Sequence, residues 1–236
     1  MDISRMVILT GAGISAESGL DTFRDQGGLW ERVRIEDVAT PEAWRRDPEG
    51  VQQFYNRRRR QLNEGDIHPN PAHQALARLE REFPGEVLVV TQNVDNLHER
   101  AGSINLVHMH GELNKVRCNA SGRAFPLERD LAPMEPCRCC TPPAALRPHV
   151  VWFGEMPMEM DRIQAALERC DLFVSIGTSG NVYPAAGFVE LASAAGARSL
   201  ELNLEPSDVH GVFDEHRTGP ASELVPEWVE AVLKRP

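Results

Sequence analysis

The stretch "RMVILTGAGISAESGLDTFRD", residues 5–25, sets the architecture, because an apolar run breaks off in a glycine-rich turn. Met6–Thr10 is short, aliphatic and nearly continuous, the pattern of a strand covered on both faces. Gly11-Ala12-Gly13-Ile14-Ser15-Ala16 matches the dinucleotide fingerprint, with alanine in place of the third glycine. Its first two glycines allow a tight turn and close backbone approach to a pyrophosphate. The remainder departs from that pattern. No acid stands at a strand end about 20 residues on, where a ribose would be held. The chain also continues through Ser18-Gly19-Leu20 to Phe23-Arg24 rather than into a long amphipathic helix.

Further runs of the same kind lie at 87–91, 171–178 and 199–204, with helical stretches at 71–83 and 160–170 between them. Strand–helix alternation predicts an α/β fold: a Rossmann-like parallel, doubly wound sheet with helices on both faces. Two segments break the rhythm. Residues 29–65 are helical, polar and arginine-rich, and 112–148 hold most of the cysteines, several prolines and little periodicity. They read as two insertions, one helical and one zinc-ribbon-like, which together build a smaller lobe. On this reading residues 1–236 are one domain. The large lobe spans about 1–28, 66–111 and 149–236, and the small lobe about 29–65 and 112–148.

In open α/β sheets the ligand lies beyond the carboxyl ends of the strands. Polar residues collect there three more times. Gly177-Thr178-Ser179 offers small residues and hydroxyls, and Asn203-Leu204-Glu205 offers the ribose partner missing earlier. Gln92-Asn93-Val94-Asp95 supplies an amide and a carboxylate for a carboxamide ring or a ribose, or equally an Asx turn with a helix cap. His108-Met109-His110-Gly111 places two histidines at strand spacing on one face. An ordinary pKa near ~6.5 suits a general base at such a crevice; a hydrogen-bonded structural histidine is the plainer alternative.

Charged residues make up 25% and apolar residues 42%, which favours a folded globular chain over disorder. No apolar run approaches the ~18 residues of a membrane span, and the opening residues do not read as a signal peptide. A net charge of −10 argues against general nucleic-acid binding. Of five cysteines, four lie between Cys118 and Cys140, which suggests a metal cluster rather than a disulfide framework and so a cytoplasmic protein. Structural zinc commonly uses two CxxC pairs. Here the first pair reads Cys118-Asn119-Ala120-Ser121, so three thiolates are expected: Cys118, Cys137 and, by spacing alone, Cys140. That set is an incomplete tetrahedron, and a metal-free loop is the alternative. Cys170, at a helix end, reads as packing.

Taken in order, "GAGISAESGLDTFRD", "TQNVDNLHERAG", "HMHGEL", the cysteine cluster, "HVVWFGE", "GTS" and "NLEP" resemble the sirtuins, NAD-dependent protein-lysine deacylases. In detail they look closest to the bacterial CobB-type, class III members, from about Met6 to Val232. The resemblance explains the odd continuation after the glycine turn. In sirtuins it is a loop that folds over NAD, with Phe23 and Arg24 at the nicotinamide ribose and Trp30 also toward the cofactor. Such a flap excludes water while a glycosidic bond is cleaved. Asp21 departs from the proline that many sirtuins carry there.

The resemblance further implies that Gly11, Ala12, Gly13 and Ser15 meet the pyrophosphate. Gln92, Asn93, Val94 and Asp95 would line the ribose and nicotinamide pocket, and His110 would be the catalytic base. Gly177, Thr178, Ser179, Asn203, Leu204 and Glu205 would hold the adenosine half, with Ala221 near adenine. Val151 to Glu155, Phe153 and Gly154 among them, would pair with substrate backbone by strand addition, and Phe153 would help form the lysine tunnel. Tyr55 and Arg58 of "FYNRRRRQ" would bind a carboxylate at the end of the acyl pocket, which Ala39 widens. The expected activity removes acetyl, succinyl or malonyl from lysine, transferring the acyl group to ADP-ribose with release of nicotinamide. NAD is then the co-substrate, one zinc is structural, the partners are acylated lysines of proteins, and no specific nucleic acid or membrane is involved. Competing readings are protein mono-ADP-ribosylation, a non-catalytic nucleotide-sensing module and a zinc-dependent nucleic-acid-binding protein.

Overall fold

Six parallel strands in the order β3-β2-β1-β7-β8-β9 form the main sheet of the computed structural model, which describes residues 3–20 and 33–234. They are β1 (Arg5–Thr10), β2 (Glu86–Thr91), β3 (Leu106–His108), β7 (Leu172–Ile176), β8 (Arg198–Asn203) and β9 (Glu215–Thr218). A second, antiparallel sheet of β4 (Gly111–Cys118), β5 (Ala124–Pro126) and β6 (Leu146–Val150) has the order β5-β4-β6. In chain order the helices are α1 (Gly13–Ala16), α2 (Ile35–Val38), α3 (Pro41–Arg46), α4 (Pro48–Glu64), α5 (Pro71–Glu82), α6 (Leu97–Ala101), α7 (Met160–Leu167), α8 (Phe188–Ala194) and α9 (Ala221–Leu233).

The continuous apolar character of β1 follows from its central place. Met6 and Ile8 pack with Leu76 and Leu79 of α5 and with Val225 and Trp228 of α9. Val7 and Leu9 point the other way, to Ile163 and Leu167 of α7 and to Phe188 and Val189 of α8. Successive residues of a strand face opposite sides, so both sets must be apolar. The chain winds outward from β1 to β3, then crosses back to β7 and winds out again. The order therefore reverses between β1 and β7, and a crevice opens above that switch point.

The helical insertion carries the longest helix, α4. Asp47 caps it by accepting the Gly50 N–H at 2.9 Å, with Pro48 at its first position. Its inner face, Val51, Phe54, Tyr55 and Leu62, packs on Leu97, Leu113, Val150 and Trp152. The four arginines of 57–60 are not one solvated face. Arg57 and Arg60 are exposed, but Arg59 is fully buried. Its Nε donates to the Leu113 carbonyl at 2.7 Å and its Nη1 to Asn56 Oδ1 at 2.8 Å. Asn56 in turn bonds both the carbonyl and the N–H of Leu131. A buried guanidinium thus ties the helical insertion to the cysteine insertion. The latter is ordered as the antiparallel sheet, although its sequence carries little periodicity. Among the described residues no helix is long and apolar enough to cross a membrane.

Candidate active site and metal centre

A cavity of about 950 Å³ lies over the carboxyl ends of β1, β2, β7 and β8. The glycine turn forms its floor. The Gly13 N–H donates to the Gly177 carbonyl at 2.9 Å, and a Cβ on Gly13 would stand 2.7 Å from Gly177 Cα. Glycine is therefore required by the contact between the β1 and β7 turns, independently of any ligand. Gly11, Ala12 and Gly13 line the cavity together with Gln92, Asn93, Val94, His110, Gly177, Thr178, Ser179, Asn203, Leu204, Glu205 and Ala221. On the remaining walls are Ala39, Tyr55, Arg58, Val151, Phe153 and Gly154. Phe23, Arg24 and Trp30 lie outside the described residues, as does Asp21.

Ser15 and Asp95 sit behind this wall, on a small adjoining pocket shared with Arg58 and Leu113. The Ser15 hydroxyl donates to Asp95 Oδ2 at 3.1 Å and accepts from Asn93 Nδ2 at 3.1 Å, while Asn93 Nδ2 also reaches the Gly11 carbonyl at 3.0 Å. Asp95 Oδ1 accepts the Leu97 N–H at 3.1 Å, so the Asx turn is present and leaves the other oxygen for Ser15. Burial pushes the Asp95 carboxyl upward, against those two hydrogen bonds. Deeper still, His73 approaches Ser15 Oγ at 3.4 Å, His98 meets Thr10 Oγ1 at 3.0 Å, and the two rings lie 4.9 Å apart. Burial holds His73 down at about 4 and His98 well below its usual value, so both stay neutral at pH 7. These two positioning histidines were not singled out from the sequence.

His110 follows β3 in a turn rather than on a strand. Its Nδ1 lies 3.2 Å from the Gln92 carbonyl, which can only accept. Nδ1 therefore carries the proton, and Nε2 keeps its lone pair. Burial lowers the His110 pKa below 6.5, with the carbonyl working against it. The result is a neutral imidazole, half-buried on the cavity wall, in the state a general base needs. At the other wall the Phe153 N–H donates to the Ala39 carbonyl at 3.0 Å, joining that segment to the helical insertion. Trp152 Nε1 donates to the Tyr55 hydroxyl at 3.1 Å. Glu155 is committed elsewhere. It accepts from Arg147 at 2.7 Å, Arg117 at 3.0 Å and the Trp152 N–H at 2.9 Å, and the Arg147 guanidinium lies 3.4 Å over the Trp152 ring.

The cysteine reading needs correction. Cys118, Cys137, Cys139 and Cys140 all converge, with their sulfurs within 4.8 Å of one another. Cys118 and Cys140 are 3.6 Å apart, and Cys139 and Cys140 3.8 Å. Four thiolates at ~2.3 Å from zinc have tetrahedral edges of about 3.8 Å. Cys139 thus supplies the fourth donor that the decayed first pair appeared to lack, and the residues fit structural zinc. Ser121 keeps a supporting part: its N–H reaches Cys118 Sγ at 3.5 Å and its hydroxyl Cys139 Sγ at 3.2 Å. None of the four lines the cavity. Purified protein should contain about one zinc per chain. Cys139→Ala should release it and lower stability by a few kcal/mol, as read by elemental analysis and thermal unfolding; full zinc content in that variant would remove Cys139 from the site. Cys170 is buried against the Leu167 carbonyl, as packing.

Comparison with known proteins agrees with this geometry. The model of the Sir2 family matches residues 11–184. The NAD-dependent protein deacylase of Escherichia coli (strain K12) is 60% identical over 99% of this chain and 84% of its own. That of Pasteurella multocida is 60% identical over 97% of this chain and 98% of its own. A Sir2 homologue in complex with ADP ribose superposes with a TM-score of 0.91 at 40% identity, over 99% of this chain and 93% of the other. A Sir2–p53 peptide–NAD+ structure gives 0.82 at 26% identity, over 98% and 94%. A parallel sheet with a glycine turn at its switch point, a neutral histidine on the crevice wall and a four-cysteine insertion place the chain in the Sir2 family, as an NAD-dependent enzyme of the sirtuin type.

Proposed function

We propose that the chain is an NAD-dependent protein-lysine deacylase that accepts succinyl- and malonyl-lysine as well as acetyl-lysine. One observation carries this reading. A single cavity joins the glycine turn, His110, the Val151–Gly154 segment and the Tyr55–Arg58 pair. Deacylases among the relatives and the peptide-bearing Sir2 structure support the first half of the proposal. When bound, NAD would supply a ribose carbon that exchanges nicotinamide for the acyl carbonyl oxygen, and a ribose hydroxyl that would receive the acyl group as an ester while water enters and the lysine amine leaves. The chain's own residues do the rest. Gly11, Ala12, Gly13 and the β7 and β8 ends seat the dinucleotide, Asn93 fixes the turn through the Gly11 carbonyl, and His110 Nε2 takes the proton of a ribose hydroxyl. Tyr55 and Arg58 meet the distal carboxylate of a dicarboxylic acyl group.

Incubation with NAD and a panel of acyl-lysine peptides, followed by mass spectrometry, tests the proposal. Acyl-dependent nicotinamide release with formation of acyl-ADP-ribose is the expected result. Nicotinamide release with the acyl group retained and ADP-ribose on protein would establish transfer instead. Dinucleotide binding without turnover would leave a nucleotide-sensing module.

A further inference from the structure

Outside the cavity, Glu99 of α6, His108 at the end of β3 and Glu112 at the start of β4 bring three ligand-type side chains together. Their donor atoms lie within 4.8 Å of one another. His108 Nδ1 lies 3.2 Å from the Asn93 carbonyl, so that nitrogen carries a proton. Its Nε2 then faces Glu99 Oε1 at 2.7 Å. Two lone pairs cannot hold that separation without a positive centre between them. A proton can fill the role, yet the arrangement is also that of a metal-binding histidine, whose second nitrogen is fixed by a backbone carbonyl. Glu112 adds a second carboxylate. On neighbouring β6, the buried Nδ1 of His149, within electrostatic reach of Glu112, has no hydrogen-bond partner among the described residues. Lys115 Nζ now holds Glu112 Oε2 at 2.6 Å, but the lysine side chain is 42% exposed and can swing to solvent.

We propose that Glu99, His108 and Glu112 form a second metal site, for a borderline divalent transition ion such as Zn²⁺ or Ni²⁺, separate from the four-cysteine cluster. One imidazole and two carboxylates suit such ions better than Mg²⁺ or Ca²⁺, and water completes the shell. The donors come from three elements, so the site exists only in the folded chain and binding must stabilise the fold.

The test uses protein already replete in zinc, titrated with NiCl2 by calorimetry and thermal shift, and with CoCl2 by absorption spectroscopy. About one further ion per chain is expected, with a rise in Tm and weak cobalt bands typical of nitrogen and oxygen ligands. Glu99→Gln, His108→Gln and Glu112→Gln should each weaken binding roughly tenfold or more. Glu99 is exposed and Glu112 half-buried, so those two variants serve even if His108→Gln misfolds. Absence of binding, binding that survives in Glu99→Gln and Glu112→Gln alike, or intense thiolate-to-cobalt bands would each overturn the proposal.

Discussion

Replacing His110 with Tyr should abolish deacylation while the protein stays folded. A positioned general base contributes roughly 10²–10⁴-fold, and that is the loss expected in kcat. The fold depends little on this side chain: among the described residues its one hydrogen bond is to the Gln92 carbonyl, worth about 1 kcal/mol. Tyrosine also fills space on the cavity wall, so His110→Asn is the companion variant that removes the base without adding bulk. The pH profile gives a second check. Burial lowers the His110 pKa, so the neutral, active form persists to lower pH than a solvent-exposed imidazole allows. In wild type kcat/KM should therefore hold level through neutrality and fall only below the ordinary histidine value of ~6.5. That acid limb should vanish from the residual activity of His110→Asn. Turnover near wild type in a well-folded variant would remove His110 from the chemistry.

What the sequence disclosed and what it hid divide along a physical line. The four longer strands of the main sheet were legible because a strand buried on both faces must be apolar throughout. The outer strands β3 and β9 were not, since three or four residues at a sheet's flank carry no such pattern. The glycine turn was legible as a motif. Its packing against Gly177 was not, because that partner lies in the turn after β7, far off in the chain. The burial of Arg59 was not legible because the carbonyl that holds it is 54 residues away in the chain. Ser15 was expected at the pyrophosphate, and its fixed partners Asn93 and Asp95 are 78 and 80 residues distant. Cys139 was passed over because spacing rules favour CxxC pairs, whereas the fold brings two adjacent cysteines to one cluster. Local patterning reveals what a segment buries; long-range hydrogen bonds decide which polar group goes where.

Arg58→Met should separate two activities that share one cavity. Tyr55 and Arg58 stand three residues apart on α4, on the same face, and both line the cavity beside Ala39. An arginine fork pairs a carboxylate in a bidentate way, and a phenol adds a third hydrogen bond. The geometry at Tyr55 suits that role. Its oxygen already accepts the Trp152 N–H at 3.1 Å, and burial raises its pKa, so the phenol keeps a proton to donate. A hydrogen bond to a charged group contributes about 1.5–3 kcal/mol. At tenfold per ~1.4 kcal/mol, Arg58→Met should lower desuccinylation and demalonylation by one to a few orders of magnitude. Deacetylation should change much less, since a neutral acetyl group offers the guanidinium nothing to pair. Tyr55→Phe should show the same selectivity with a smaller loss, and it should also destabilise the fold. Removing the phenol oxygen leaves the buried Trp152 N–H without an acceptor, at a cost of about 1–3 kcal/mol. Arg58→Met leaves that bond intact, so the cost of the orphaned Trp152 N–H is expected in Tyr55→Phe alone. The pair of variants therefore distinguishes recognition from packing: kcat/KM for succinyl-, malonyl- and acetyl-lysine peptides reads the first, and thermal unfolding the second. Equal losses on all three substrates in Arg58→Met would make the pair structural and remove the dicarboxylate specificity from the proposal.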